Sequence, residues 1–274
     1  DLTINAIAKA PDGTLIDPYG GQKDLADRLL RHVSDAFTED PLRILRLAQF
    51  QARLKGLGFR VHDLTTQLCR EMVARGDLDT LSRERVFKEL EKALSAPHPS
   101  EFFAVLASVN ALAQMFQGVE LAETKNLDGP ATDTSPPSRF SQLVLENPDL
   151  DLQGLNKQLA IPKHWLELAS MTRTWAAAFC QVTTLSADAI LAVLERGDAR
   201  RKPERFAQSV HISCQSLIID SAEQTQILGL WQRLVQETAK VSLPETASGL
   251  SGQDIKAMIR AEQLRRIEAT CDRN

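Results

Sequence analysis

From residue 24 to the end of the chain, apolar residues recur at helical spacing in almost every window, with turn residues between the runs. That period commits the chain to helix packed on helix, because a strand repeats every two residues and cannot keep the same side chains on one face. Helices are expected over residues 24–32, over 63–75, 83–95 and 99–116, and again over 139–147, 151–160, 162–181, 186–197, 203–210, 220–240 and 251–270. A further strong helix follows Thr38-Glu39-Asp40-Pro41, with Leu42, Leu45, Leu47, Phe50 and Leu54 on its apolar side, and stops near Gly56-Leu57-Gly58. Ser82 suits the N-cap of 83–95, where Glu84/Lys88 and Arg85/Glu89 stand at i,i+4 spacing. Aromatic residues make up only 5% while Leu, Ala, Gln, Arg and Glu abound, a bias toward side chains that lose little rotamer freedom in a helix.

Residues 1–22 are the least helical part of the chain. Ala10-Pro11-Asp12-Gly13-Thr14 signals a turn, and Leu15-Ile16-Asp17 is a short extended piece closed by Pro18-Tyr19-Gly20-Gly21. A hairpin of that size cannot stand alone. The expected fold is therefore mainly α, with a small α/β remnant at the N-terminus. Residues 118–138, which include Asp128-Gly129-Pro130 and Ser135-Pro136-Pro137, form the linker candidate.

Several classes drop out. No run approaches the roughly 18 apolar residues that a membrane span needs. Asp1-Leu2-Thr3-Ile4-Asn5 has neither the basic start nor the apolar stretch of a signal peptide, and it opens inside an ordered segment without Met, so upstream sequence is expected. Cys69, Cys180, Cys214 and Cys271 are far apart in sequence with no CxxC pair, which suits reduced thiols in a cytoplasmic setting. Net charge is −4; residues 1–100 hold 15 Lys+Arg and 15 Asp+Glu, so the whole deficit lies in 101–274. Any RNA-binding surface must then be a local patch.

Glu39-Asp40-Pro41-Leu42-Arg43 sets a carboxylate and a guanidinium three residues apart at a helix start, where they are neighbours on one face. Cytosine and adenine each offer an amino donor beside a ring-nitrogen acceptor. An Asp accepts from the first and an Arg donates to the second. Guanine and uracil present the opposite order and would leave both groups unpaired, at a cost of roughly several kcal/mol. Arg46, one turn further, could add charge for a triphosphate. Asp before Pro at a helix start is equally an ordinary N-cap and N1 arrangement, so the five residues by themselves leave both readings open.

Their company narrows the choice. Asp1-Leu2-Thr3-Ile4-Asn5-Ala6 resembles the end of the RRDxTINA motif of class II CCA-adding enzymes and bacterial poly(A) polymerases. Asp17-Pro18-Tyr19-Gly20-Gly21-x-x-Asp24-Leu25 is similar to the hinge motif that follows it between head and neck. Leu29-Leu30-Arg31-His32-Val33, Phe37 and Glu39-Asp40-x-x-Arg43 match the EDxxR base-reading motif, and Ser82-x-Glu84-Arg85-x-x-x-Glu89 resembles the neck motif that braces it. Arg201-Lys202-Pro203-Glu204-Arg205 and Gly252-x-x-Ile255, Arg260 and Leu264-Arg265-Arg266-Ile267 look like body and tail segments. The chain resembles the C-terminal three-quarters of a bacterial CCA-adding enzyme (tRNA nucleotidyltransferase), strongly over 1–95 and loosely beyond.

The resemblance implies an edge of the nucleotidyltransferase head at 1–30, a nucleotide-recognising helical neck at 31–117, the linker at 118–138, and a tRNA-binding body and tail at 139–274. It implies template-independent addition of C, C and A to tRNA 3′ ends from CTP and ATP with Mg²⁺. Asp1 would contact the ribose 2′-hydroxyl, Asp40 and Arg43 would read the base, and Arg46 would help bind the nucleotide. Gln49 stands where close relatives carry another Arg. The family's Gly-Ser loop and its DxD metal carboxylates lie upstream of the RRD motif, so no catalytic or metal-binding residue is expected here and the chain alone is expected to be inactive. Where some relatives carry a metal-dependent HD phosphohydrolase, this chain has Arg139-Phe140-Ser141-Gln142-Leu143-Val144-Leu145-Glu146. His32, His62, His98, His164 and His211 are scattered without ligand spacing, so that activity is not expected. A poly(A) polymerase of the same family and a non-catalytic RNA-binding fragment are the alternatives.

Arg196, Arg200, Arg201, Lys202 and Arg205 form the densest basic cluster. Arg200, Arg201, Lys202 and Arg205 are candidates for contact with tRNA phosphates, although Glu195, Asp198 and Glu204 interleave as they would in a solvated turn. Residues 256–273 carry five basic residues against Glu262, Glu268 and Asp272, the pattern of an RNA-facing tail or of a solvated helix. Trp165, Trp175 and Trp231 fall within apolar helical patterns and are expected in the core, not as base-stacking platforms.

Overall fold

The computed structural model describes residues 1–129, 134–217, 220–241 and 251–272. Pro130 of the expected linker and Arg273 of the expected basic tail lie outside them. The fold is mainly α, as expected, and forms two compact units, residues 1–166 and 167–274. That division falls after the linker candidate. Residues 123–128 of the candidate form a 3-10 helix with Thr124 and Leu127 buried, and Asp128 accepts from Ser100 N at 2.9 Å and Ser100 Oγ at 2.7 Å.

The first unit begins with the expected hairpin, β1 (Ala8–Lys9) paired antiparallel with β2 (Leu15–Ile16). Helix α1 (Gly21–Ala26) then replaces the expected helix over 24–32. It starts early because the Asp17 carboxylate accepts from the amides of Gly21 at 2.7 Å and Gln22 at 2.8 Å. It ends early because Arg28 takes a left-handed φ of 56°. Leu29 and Leu30 then form β3, parallel to β4 (Arg60–Val61), and both are buried.

Helix α2 (Leu42–Leu54) is the centre of this unit, with Ile44, Leu45, Leu47 and Ala48 buried. It packs against α4 (Arg83–Leu94) and α5 (Ser100–Ser108), and α3 (Asp63–Ala74) precedes them. The expected single helix over 99–116 is interrupted: α5 ends, Asn110 adopts φ 64°, and α6 (Leu112–Met115) follows. Asn tolerates that conformation better than most residues. The turn folds Phe116 back onto Phe102 and Phe103, giving three edge-to-face contacts with centroids 5.3–6.1 Å apart. Helices α7 (Pro136–Glu146) and α8 (Leu152–Leu159) pack on α4, and Trp165 sits against Phe87 and Phe140.

Ser82 occupies the N-cap of α4 without a side-chain hydrogen bond. The expected ion pairs on that helix do not form: buried Glu89 accepts from Lys92 at 2.7 Å, Arg85 turns to another helix, and no ion pair joins Glu84 to Lys88. An i+3 partner wins because Lys92 reaches Glu89 while Arg85 has a tertiary acceptor.

Helix α9 (Lys163–Cys180) enters the second unit, which continues with α10 (Ala187–Arg196), α11 (Pro203–Ser216), α12 (Ser221–Ala239) and α13 (Gly252–Cys271). Helix α11 outruns the expected 203–210 because Ile212 and Cys214 continue its buried face. Phe179, Phe206 and Trp231 meet edge to face at 5.3–5.7 Å, and the Trp231 indole donates to the Phe179 carbonyl at 2.9 Å. Trp165 and Trp231 are buried and Trp175 packs partly buried against the same core, so all three tryptophans serve packing.

Candidate functional site

The start of α2 is shaped by the chain just before it. Residues 35–39 form a 3-10 turn pinned by buried Phe37, and Asp40 then turns extended. Its Oδ1 accepts from the Leu42 amide at 3.2 Å, and its carbonyl accepts from the Arg43 amide at 3.0 Å. The capping role is therefore real, and it uses one carboxylate oxygen. The second oxygen, Oδ2, accepts from Arg85 Nη2 of α4 at 2.7 Å. Arg43 is not the partner of Asp40; its guanidinium donates to the Ala36 carbonyl. Asp40 and Arg43 are both half-buried, and each side chain is held by a group other than its neighbour.

The electrostatics favour an ionised acceptor. Burial works to raise the Asp40 carboxyl, but hydrogen bonds from Arg85 and the Leu42 amide, with the charges of Arg85 and Arg43, outweigh it and hold the group below its ordinary value.

One turn along α2, Arg46 donates through Nε (3.1 Å) and Nη2 to Asp1 Oδ2, and its guanidinium carbon lies 6.0 Å from the Phe50 ring centroid. The other Asp1 oxygen, Oδ1, is buried and has no hydrogen-bond partner. An acceptor left in that state is costly unless a donor arrives.

Asp1 is held there by its own segment. Val33 N donates to the Asp1 carbonyl at 3.2 Å and Thr3 N to the Arg31 carbonyl at 2.9 Å. Thr3 Oγ1 donates to buried Asp24 at 2.7 Å, and Arg31 lies 3.1 Å from the same carboxylate. The glycines of the hinge-like motif explain the close fit. Gly20 takes φ 73°, and a Cβ on Gly21 would lie 2.2 Å from the Thr3 carbonyl oxygen. Gln49 is half-buried on the next turn of α2.

The basic cluster sits between α10 and α11 in the second unit. Arg201 Nε donates to Asp198 at 2.6 Å, while Lys202 (3.1 Å) and Arg205 (2.6 Å) converge on Glu167 of α9. Arg200 is exposed. Three of the four candidate cations are thus oriented by carboxylates, and two share a single acid. In the tail, Glu262 receives both Arg265 and Arg266, and Arg260 reaches Asp188 at 2.7 Å.

Two arginines carry structural weight that pattern reading missed. Arg85 was legible as part of a bracing motif, but the acid at i,i+4 spacing, Glu89, pointed to the wrong partner. Arg139 is buried and its Nη1 donates to the Leu94 and Ala96 carbonyls, both at 2.7 Å, closing the end of α4. The histidines are spread through the fold: His32 Nδ1 lies 2.8 Å from Thr65 Oγ1, His62 accepts from the Leu64 amide, and His98 is 3.7 Å from Asp128. Among the described residues no three His, Cys, Asp or Glu side chains gather where they could hold a metal ion. Nor is any helix there long and apolar enough to cross a membrane.

A family model described as "Probable RNA and SrmB-binding site of polymerase A" matches residues 58–122. Over 98% of its length the chain is 37% identical to a "Multifunctional CCA protein" of Pseudomonas putida strain KT2440, of which it covers 74%. Identity and coverage are the same for a "CCA-adding enzyme" of Pseudomonas putida strain F1. Among solved structures, the Bacillus stearothermophilus CCA-adding enzyme in complex with CTP is similar with a TM-score of 0.75 at 20% identity, over 98% of this chain and 68% of that one. The Thermotoga maritima CCA-adding enzyme complexed with tRNA_CCA gives 0.65 at 18% identity, over 100% and 71%.

Proposed function

The chain belongs to the bacterial CCA-adding enzyme family, nucleotidyltransferases that add C, C and A to tRNA, and on that premise we propose that the start of α2 is its nucleotide reader. Asp40 accepts from the exocyclic amino group of cytosine or adenine, and Arg43 donates to the adjacent ring nitrogen. The observation that carries this is the separation of the two side chains: Arg85 and the Leu42 amide aim Asp40 while Arg43 rests on a main-chain carbonyl. Asp40 has acceptor lone pairs left beside its two donors, and Arg43 can exchange its carbonyl for a base ring nitrogen, so neither must first break a mutual ion pair.

Asp1 takes the ribose 2′-hydroxyl. Its buried, unpartnered Oδ1 is the acceptor that such a hydroxyl would satisfy. Arg46, already turned toward the same place, contributes charge for the triphosphate, with its Asp1 contact opening or shifting as the nucleotide enters. Guanine and uracil are refused because the Asp40/Arg43 order matches neither edge.

Mg²⁺, which two-metal nucleotidyl transfer requires, finds no fitting set of carboxylates among the described residues: Asp1 and Asp40 are each engaged by an arginine. The residues present therefore select and orient the nucleotide, and no step is assigned to a metal on them. In functional terms residues 1–30 are the head edge, 31–117 the neck and 139–274 the tRNA-binding body and tail, joined by 118–138. Arg200, Arg201, Lys202 and Arg205 contact tRNA phosphates, with CTP and ATP as the other partners and the cytoplasm as the setting.

The test is incorporation of CTP and ATP onto tRNA lacking its CCA end by the complete gene product and its Asp40→Ala and Arg43→Ala variants. Both variants are expected to lose incorporation or C/A selectivity. Unchanged kinetics in both would leave only the capping role. ATP incorporation without CTP would indicate a poly(A) polymerase.

A further inference from the structure

Three of the four cysteines, spread over 92 positions of sequence from Cys180 to Cys271, converge in the second unit. Cys180 closes α9 and Cys214 lies near the end of α11, and their Sγ atoms are 3.7 Å apart. The contact ends a polar seam along two helices running in the same direction, as its rungs show: Glu167 with Lys202 and Arg205, Thr172 with Ser209 at 2.9 Å, then Cys180 with Cys214. Cys180 is half-buried and lines a cavity of about 780 Å³, which Cys271 also lines, whereas Cys214 is fully buried behind it.

We propose that Cys180 and Cys214 form an oxidant-responsive dithiol, with Cys180 as the thiol that meets a peroxide entering the cavity and Cys214 as the resolving thiol. The Cys180 thiolate attacks one oxygen of hydrogen peroxide, forming an S–O bond as the O–O bond breaks and hydroxide leaves. Cys214 sulfur then attacks the resulting sulfenic acid, the S–O bond breaks, and water departs as the S–S bond forms. Net, two thiols and one peroxide give one disulfide and two waters.

The division of roles follows from access and environment. Only Cys180 of the two opens to the cavity. Its thiol is held below the ordinary value by hydrogen bonding with Cys214, against burial and the Glu223 charge, while Cys214 is pushed upward by the same contact and by burial. Closing the bond needs the sulfurs to approach from 3.7 Å to about 2.05 Å. Cys180 is the last residue of its helix, where a small shift disturbs the fewest hydrogen bonds. The disulfide would pin α9 to α11, the two helices whose opposite ends hold the Glu167 and Lys202/Arg205 cluster.

The experiment treats the protein with hydrogen peroxide and maps disulfides by differential alkylation and peptide mass spectrometry. A Cys180–Cys214 disulfide is expected, with Cys271 still a free thiol and Cys69, fully buried and pushed up to about 12, unreacted until the protein is denatured. In Cys214→Ala, Cys180 should stop at the sulfenic acid and be trapped by dimedone; in Cys180→Ala, Cys214 should give no adduct. Before oxidation, Cys180 should alkylate on the order of tenfold faster than Cys271. A Cys180–Cys271 bond, equal reactivity of Cys180 and Cys271, or undiminished oxidation of Cys214 in Cys180→Ala would overturn the proposal. The wild-type map reads the outcome even where a variant folds poorly.

Discussion

Asp40 and Arg85, 45 residues apart, meet at 2.7 Å, so that the carboxylate at the start of α2 is oriented from another helix and not by Arg43 three residues along. This leaves Asp40 and Arg43 without a mutual ion pair, as the proposed base reading requires. The bracing contact is half-exposed, which limits its direct energetic worth: such pairs contribute about 0.2–1 kcal/mol.

Arg85→Gln in the complete gene product should therefore be mild where Asp40→Ala is severe. We expect a rise of at most about fivefold in the KM for CTP and ATP with kcat nearly kept, the fold-change corresponding to the upper end of that energy. The Asp40 carboxyl, titrated by NMR, should move up toward its ordinary value, since it loses both a hydrogen bond and a charge. A kcat collapse equal to that of Asp40→Ala would mean that Arg85 touches the substrate itself.

Arg139→Met leaves the Leu94 and Ala96 carbonyls without their donor in a buried place. Each abandoned acceptor costs about 1–3 kcal/mol, so the variant should lose roughly 2–6 kcal/mol in urea denaturation. Stability within about 0.5 kcal/mol of the parent would show that water or another side chain replaces the guanidinium.

Gly21→Ala forces a methyl carbon to within 2.2 Å of the Thr3 carbonyl oxygen. The backbone must shift, at a cost of about 1–3 kcal/mol. Because Thr3 follows Asp1 closely, nucleotide affinity should fall together with stability. Intact affinity would separate the hinge-like motif from the ribose site.

The pH dependence of the tail has a definite sign. Hydrogen bonds from Arg265 and Arg266, then burial acting the other way and the two charges, bring Glu262 from 4.5 to about 2. A carboxyl depressed in the folded state adds stability that is full above 4.5 and is lost as pH falls toward about 2. Glu262→Gln should be less stable than the parent near neutrality, and the gap should close across that window and shrink in high salt. A gap that persists at pH 2 would sink the attribution.

For the cation cluster, the charge left over after internal pairing decides the outcome. Arg200→Ala should weaken tRNA binding in a filter assay and reduce the slope of log Kobs against log salt by roughly 0.7–0.9, and Arg201→Ala, whose charge already faces Asp198, should do so less. Glu167→Gln, which releases Lys202 and Arg205 from their shared acid, should steepen that slope. Slopes unchanged in all three variants would return the cluster to a solvated turn.

The helical character, the N-terminal hairpin and the α2 start were legible in the sequence because each rests on short-range rules: apolar period, turn residues and capping chemistry act within a few positions. The same locality explains the misses. Nothing adjacent to residues 24–32 announces that Leu29 and Leu30 will find a strand partner at Arg60 and Val61, and nothing around Asn110 requires helix 99–116 to break until Phe116 has Phe102 and Phe103 to fold against.

By itself, the sequence determined which residue types are candidates for the chemistry and in what order they stand: the Asp of Asp1-Leu2-Thr3-Ile4-Asn5, an acid and a guanidinium on one helical turn, and a run of cations before α11. Tertiary structure alone decided their partners. Arg85 took Asp40 in place of Glu89, Arg46 took Asp1, Glu167 gathered Lys202 and Arg205, and Cys180 came to rest against Cys214. The reason is physical: the spacing of residues on one helix is set by its pitch, but which helices lie side by side is set by the burial of apolar faces far apart in the chain.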